Sequence, residues 1–314
     1  MISVGRKTIG GAVRIILLAA ASLLYQSCFT GIESTPKITA SDVKKENIVE
    51  RPEDSYLADV SNEALGKWEK GKRFYVTDDR ISIIFGASAS DVEPLKGTVL
   101  RYDSAEDVLS ITGEPVAELI FLTEKGDQLR YRTDKSLAEL SSQATVQIPF
   151  TIEMSMVDAV RQKMSNKDYY VLTTMWYDAN DQSLTGRKFI PVHVEEILPG
   201  NSVYPIKVVL STEGKKKFAL FMTTGNNRKA PRSFGSLFSF EDPHKRYPAI
   251  SDETWRNIIE GKVALDMTRD ECRLSLGAPA TVTHRNNNNY LYELWNYENG
   301  VYLVFQDGLL KSYR

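Results

Sequence analysis

Between Trp68 and Phe240 the chain repeats one pattern. Short runs rich in β-branched and aromatic residues follow one another, each closed by Gly, Asp or Pro. "KRFYVTDDRISIIFG", "GTVLRYD", "VAELIFLT" and "DQLRYRT" come first; "DYYVLTTMWYD", "RKFIPVHVEEIL", "YPIKVVLS" and "KFALFMTT" resume after an interruption. Runs of this kind, roughly ten residues apart, restrict the chain to a sandwich or a barrel-like sheet. The interruption is "IEMSMVDAVRQKMSNK", where Met156, Val157, Val160 and Met164 recur at helical spacing and define one apolar face. "GKRFYVTDD" and "NKDYYVLTT" resemble each other, which leaves one or two β units open.

The last segment follows a different pattern. Ser251 or Asp252 can cap a helix with Trp255, Ile258, Ile259 and Val263 on one face. "TRDE" at Thr268 to Glu271 is a capping box, flanked by Met267 and Cys272 at staple positions, and Gly277 and Pro279 close this second helix. Strands follow, with a further short one expected around 280–284. The expected fold class is therefore α+β, mostly β: a β-rich central region followed by a small α-α-β-β-β module. The division is 1–27 for a signal peptide, 28–60 for a flexible tether, 61–245 for the β-rich region with one helix near 154–165, and 246–314 for the module.

Residues 252–314 resemble the SmpA/OmlA-type small outer-membrane lipoproteins, one of which is a subunit of the β-barrel assembly machine. The resemblance rests on "MTRDECRLSLGAP" and "YELWNYENGVYLVFQDGLL". It implies a protein-binding module and an outer-membrane location; the β-rich region upstream is foreign to the small members of that family. The N-terminus agrees in kind. Arg6, Lys7 and Arg14 precede an apolar run that is short for a bilayer, and "LLYQSC" is similar to a bacterial lipobox, with Tyr25 where Leu is usual. That resemblance implies lipidation at Cys28 and attachment to a membrane. Cys272 is then left without a partner and is expected to be a buried, inert thiol.

The composition, 42% hydrophobic and 25% charged, is that of a folded protein. Residues 1–27 hold three basic residues and no acid, so their removal leaves 36 basic against 41 acidic residues, a charge of −5. A chain this weakly acidic is not expected to take nucleic acid. No cofactor fingerprint or nucleophile motif is present, and no cofactor or metal is expected. His193, His244 and His284 lie in separate segments without ligand spacing. "YDANDQS" opens like a calcium loop but has Ser183 and Phe189 where Gly and an acid belong, which makes it a hairpin turn. Asp78-Asp79 and Glu195-Glu196 point to opposite faces of any strand. "GKKKF" reads as a solvated hairpin tip and "HRNNNNY" as an exposed loop.

The candidate site lies in the closing meander. A two-residue turn at Asn299-Gly300 sets Tyr297 against Tyr302, Trp295 against Val304 and Leu294 against Phe305. A second at Asp307-Gly308 sets Phe305 against Leu310 and Tyr302 against Tyr313. Leu294, Leu303, Phe305 and Leu310 then floor the two helices. The opposite face presents Trp295, Tyr297, Tyr302 and Tyr313 as a docking surface for the upstream β region or for a separate protein. The expected function is non-catalytic: an adaptor or structural protein of the cell envelope, held in the membrane by Cys28. The other reading is a lipoprotein whose β-rich region holds glycan or peptide.

Overall fold

A computed structural model of the chain describes residues 51–89, 92–225, 230–287 and 290–314. The expected signal peptide, Cys28 and most of the expected tether lie outside these residues. The fold is α+β and mostly β, with sheets of five, seven and four strands, each over its own apolar core. The last ten residues of the expected tether, 51–60, belong to the folded body. They form α1 (Pro52–Ser55) and bury Leu57 and Val60, two apolar anchors within a polar stretch.

Two β units occupy the centre, and they share one strand order. In the first, β1 (Arg73–Val76) leads through α2 (Ile81–Phe85) to an antiparallel meander of β2 (Val99–Leu109), β3 (Pro115–Leu122) and β4 (Gln128–Arg132). After α3 (Leu137–Ser141), β5 (Thr151–Glu153) returns to pair with β1. The second unit opens with α4 (Met154–Met164) and β6 (Asp168–Val171). The β7 (Met175–Tyr177) and β8 (Ser183–Thr185) hairpin comes next, followed by β9 (Ile190–Pro199), β10 (Ile206–Ser211) and β11 (Lys217–Met222). After α5 (Phe234–Leu237), β12 (Phe238–Ser239) returns to pair with β6. The orders β5-β1-β2-β3-β4 and β12-β6-β9-β10-β11 coincide, and the β7–β8 hairpin extends the second sheet beyond β11. The two look-alike segments fall on β1 and β6, both of which bury their second and fourth residues, Phe74 with Val76 and Tyr169 with Val171.

The chain crosses between the units twice, first from Val60 in the second core to Leu65 in the first, and again after β5. β5 runs directly into α4, whose Met156, Val157, Val160 and Met164 pack on the second sheet as the helical spacing predicts. Beneath the junction, Lys72 is sealed between the units with 7% of its side chain exposed. Its ammonium lies 2.8 Å from Glu153, 2.7 Å from Glu63 and 3.1 Å from the Ser155 hydroxyl. Burial pushes the Glu153 carboxyl up despite the opposing pull of Lys72, so the pair is held at a desolvation cost.

The C-terminal module follows α6 (Pro243–Arg246). It comprises α7 (Asp252–Ile259), α8 (Arg269–Leu276) and a four-stranded meander: β13 (Thr281–Asn287), β14 (Tyr290–Asn296), β15 (Tyr302–Gln306) and β16 (Leu309–Tyr313). The capping box at Thr268 is formed: its hydroxyl accepts from the Glu271 N–H, and Glu271 accepts from the Thr268 N–H at 2.7 Å. Ser251 caps α7 through the Thr254 N–H. Cys272 is fully buried, and burial pushes its thiol up to about 12. "HRNNNNY" is not a separate loop; β13 runs to Asn287 and β14 starts at Tyr290.

The β14–β15 register differs from the expected one by one residue. Asn296 pairs with Tyr302, Trp295 with Leu303 and Glu293 with Phe305. The connection holds three residues, Glu298, Asn299 and Gly300, closed by Tyr297 N–H to Val301 C=O at 2.9 Å. Only Gly300 takes a positive φ, +82°, while the Asn299 side chain accepts from the Val301 N–H at 3.2 Å. A two-residue type I′ turn needs positive φ at both central positions; the three-residue turn confines it to glycine. Because side chains alternate, the slip reverses Trp295 and Leu294: Trp295 is fully buried and Leu294 faces outward. The Asp307-Gly308 turn forms as expected and Phe305 meets Leu310, but a bulge between Val304 and Phe305 sets Tyr313 against Leu303 instead of Tyr302.

Two stability outcomes follow. Lys72→Met strands Glu153 in the interior and should cost about 3–5 kcal/mol in urea unfolding, with most of it regained in the Lys72→Met, Glu153→Gln double variant. Phe305→Ala should cost about 3–5 kcal/mol as a core cavity, whereas Tyr302→Ala, on the outer face, should cost about 1 kcal/mol or less.

Candidate functional site

Of the four aromatic residues expected on the outer face, one is there. Tyr302 stands on it, half-buried, beside Leu294 and Val304 and near Tyr292. Trp295 is core. Its indole N–H donates to Glu293 at 3.1 Å, its ring lies 4.6 Å from Phe305, and the Arg273 guanidinium sits 4.7 Å from its face. Tyr297 packs on the helix side and donates to the Gly277 carbonyl at 3.2 Å, and burial pushes its hydroxyl up to about 12. Tyr313 is 49% exposed at the sheet edge. The outer face is thus mixed: Tyr302, Leu294 and Val304 are half-buried among Thr281, Thr283, Asn296, Gln306 and Ser312.

The module meets the second β unit by its other side. The connection from β8 to β9 inserts Phe189, at φ +57°, into the module's core, with its ring edge-on to Trp255 at 5.9 Å. The Lys188 N–H donates to the Ile259 carbonyl at 3.0 Å, and its buried ammonium donates to the Ser275 carbonyl near the end of α8. The helix C-terminus favours the cation, yet no carboxylate accompanies it, and burial lowers the Lys188 amine to about 8. In sequence this residue is an ordinary lysine bordering an apolar run. Its partners lie some seventy to ninety positions away, so no local signal marks it.

A cleft of about 680 Å³ opens beside this joint. Ile190, Pro191 and Trp176 provide its apolar lining, and Arg187, Lys216, Glu213 and Glu260 its charges. Trp176 is stacked on Phe218 at 3.6 Å and tied through its N–H to the Thr173 carbonyl at 3.0 Å. On the other side the Gly186 backbone lies against the indole. A Cβ there would fall 1.9 Å from the ring, so the wall is built for glycine alone.

Acid–base groups are scattered. His193 pairs with Asp168 at 2.7 Å on the second sheet, and His244 with Asp242 at 2.7 Å while stacked on Trp255. His284 stands 3.6 Å from Glu293 in the module. Asp78 is engaged by Arg80 while Asp79 accepts from the Lys96 N–H; Glu195 bonds Ser211 at 2.5 Å. Asp178 accepts from the Asn180 and Gln182 N–H groups and so shapes the β7–β8 turn. "GKKKF" is the β10–β11 tip. Among the described residues there is no cluster of three His, Cys, Asp or Glu able to hold a metal, and no helix long and apolar enough to cross a membrane. The chain matches no protein-family model, no curated protein and no solved structure.

Lys188 couples the stability of the joint to pH. Between about pH 8 and 10.5 the unfolded chain binds a proton that the folded one does not, so stability should rise with pH across that window. Denaturant titrations from pH 7.5 to 10.5 check this: Lys188→Met should flatten the slope.

Proposed function

We propose that the chain is a lipid-anchored envelope protein, attached to the outer membrane through Cys28, that acts without catalysis as an adaptor through protein–protein contact. The observation that carries this reading is the outer face of the four-stranded sheet. Tyr302, Leu294 and Val304 lie there, on the side opposite Leu303 and Phe305, while the module makes its in-chain contact through Lys188 and Phe189. An antiparallel sheet tolerates one wet face, but that face is ordinarily polar. Apolar side chains on it favour a protein partner.

The resemblance of residues 252–314 to the SmpA/OmlA-type lipoproteins and of "LLYQSC" to a lipobox points the same way. So do the acid–base groups, which are dispersed over the second sheet, α6 and the C-terminal sheet instead of converging on one cavity.

Two measurements test it. Cys28→Ser should shift the protein from the membrane to the soluble fraction, since stable attachment needs more than one acyl chain; sedimentation with membranes after a high-salt wash would refute the anchor. A photocrosslinking residue at Tyr302 should capture one discrete envelope protein, and the same residue at exposed Glu298 should not. Equal crosslinking from both positions would refute the sheet face as the contact.

A further inference from the structure

β8 is an edge strand, paired with β7 and with nothing on its other side among the described residues. The phase of that pairing decides what its free side presents. Asp178 N–H bonds to Gln182 C=O at 3.0 Å and Gly186 N–H to Thr174 C=O at 2.7 Å. In an antiparallel ladder hydrogen-bonded pairs alternate with non-bonded ones, so Trp176 and Leu184 form the bonded pair between these two. Ser183 and Thr185 occupy the non-bonded positions. Both therefore direct N–H and C=O away from β7, two residues apart, which is the spacing an incoming strand requires.

Thr185 also lines the 680 Å³ cleft, so this edge adjoins a recess that can take side chains. Ile190, Pro191 and the rim of Trp176 supply apolar surface there. Arg187 and Lys216 bring two exposed cations without a hydrogen bond to another described residue, and Arg187 lies near enough to Glu260 to help Lys262 hold that carboxyl below its usual range. The neighbouring cations are engaged: Lys262 with Glu260 at 2.8 Å, Lys207 with Asp181, and Lys217 with Glu195 at 3.7 Å. Glu260 is thereby occupied, and Glu213 in the β10–β11 turn is the remaining carboxylate of the lining. Arg187, Lys216 and Lys262 against Glu213 and Glu260 leave an excess of one positive charge, which favours a single negative charge over a dianion.

We propose that this cleft is a peptide-binding site, in which an extended segment pairs with β8, sets an apolar side chain on Ile190 and Pro191, and offers a carboxylate to Arg187 and Lys216. Backbone pairing supplies affinity, and the cleft selects the side chains. A small anion alone would use the cations and leave the paired backbone sites of Ser183 and Thr185 without purpose. The site stands on the second β unit and depends neither on the anchor nor on the outer face of the C-terminal sheet.

The test uses the full chain and fluorescence anisotropy. The probe is a labelled heptapeptide of alternating valine and threonine with a central aspartate. Binding should saturate, and it should weaken about tenfold or more (about 1.4 kcal/mol) when lysine replaces the aspartate or when the protein carries Arg187→Glu. Lys216→Glu is the second variant, on a different turn, in case the first disturbs the β8–β9 connection. N-methylation of the peptide's alternate amides should abolish binding while leaving its charge intact. No saturation at about 1 mM peptide, indifference to N-methylation, or complete competition by inorganic phosphate would each overturn the proposal, the last by leaving only a small-anion site.

Discussion

At Glu153 the backbone serves two bodies at once. Thr151 and Ile152 complete the first unit's sheet beside β1, and one residue later Met154 begins the helix that covers the second unit's sheet. Ile152 even contributes to the second core. The transition leaves a carboxylate in the interior, and Lys72, beside the rings of Trp68 and Phe74, answers it. A buried ion pair of this kind adds little net stability over an apolar one; its effect is to penalise every arrangement in which one charge is buried without the other. Lys72 leads into β1 and Glu153 ends β5, so the pair ties neighbouring strands of the first sheet at the point where the chain leaves it for α4.

The elements legible in the sequence are those whose reasons are local. The apolar stripe of α4, the capping box at Thr268, the glycine exit at Gly277 and the Asp307-Gly308 turn each fit within one or two turns of chain. The similarity of the segments around Phe74 and Tyr169 is local too, and it marks equivalent strands. What escaped depended on distant partners or on small margins. β5 and β12 are too short to show a period and exist because β1 and β6 offer them an edge. The pairing of Lys188 with Ser275 joins elements that only the tertiary fold brings together.

The misplacement of Trp295 has a specific origin. Asn-Gly suits a two-residue turn and a three-residue one alike, so the dipeptide cannot choose the register. The choice falls to the faces. The observed register buries the large indole against Phe305 and the Arg273 guanidinium and leaves the smaller Leu294 at the surface. A two-residue turn at Asn299-Gly300 predicts the outward aromatic row; the greater gain from burying Trp295 than Leu294 favours the register found.

The shared strand order of the β units places their one conspicuous difference at a single point. Between its first and second strands the first unit carries α2 within residues 77–98, and the second carries the β7–β8 hairpin within residues 172–189. The same meander closes around a helix in one case and around two additional strands in the other. In each unit the inserted segment also closes the core it enters: Ile81 and Phe85 of α2 fill the first, and Trp176 of β7 fills the second. A foreign segment placed at this connection would therefore have to bring apolar anchors of its own, which makes it the point where one strand order admits two different plugs.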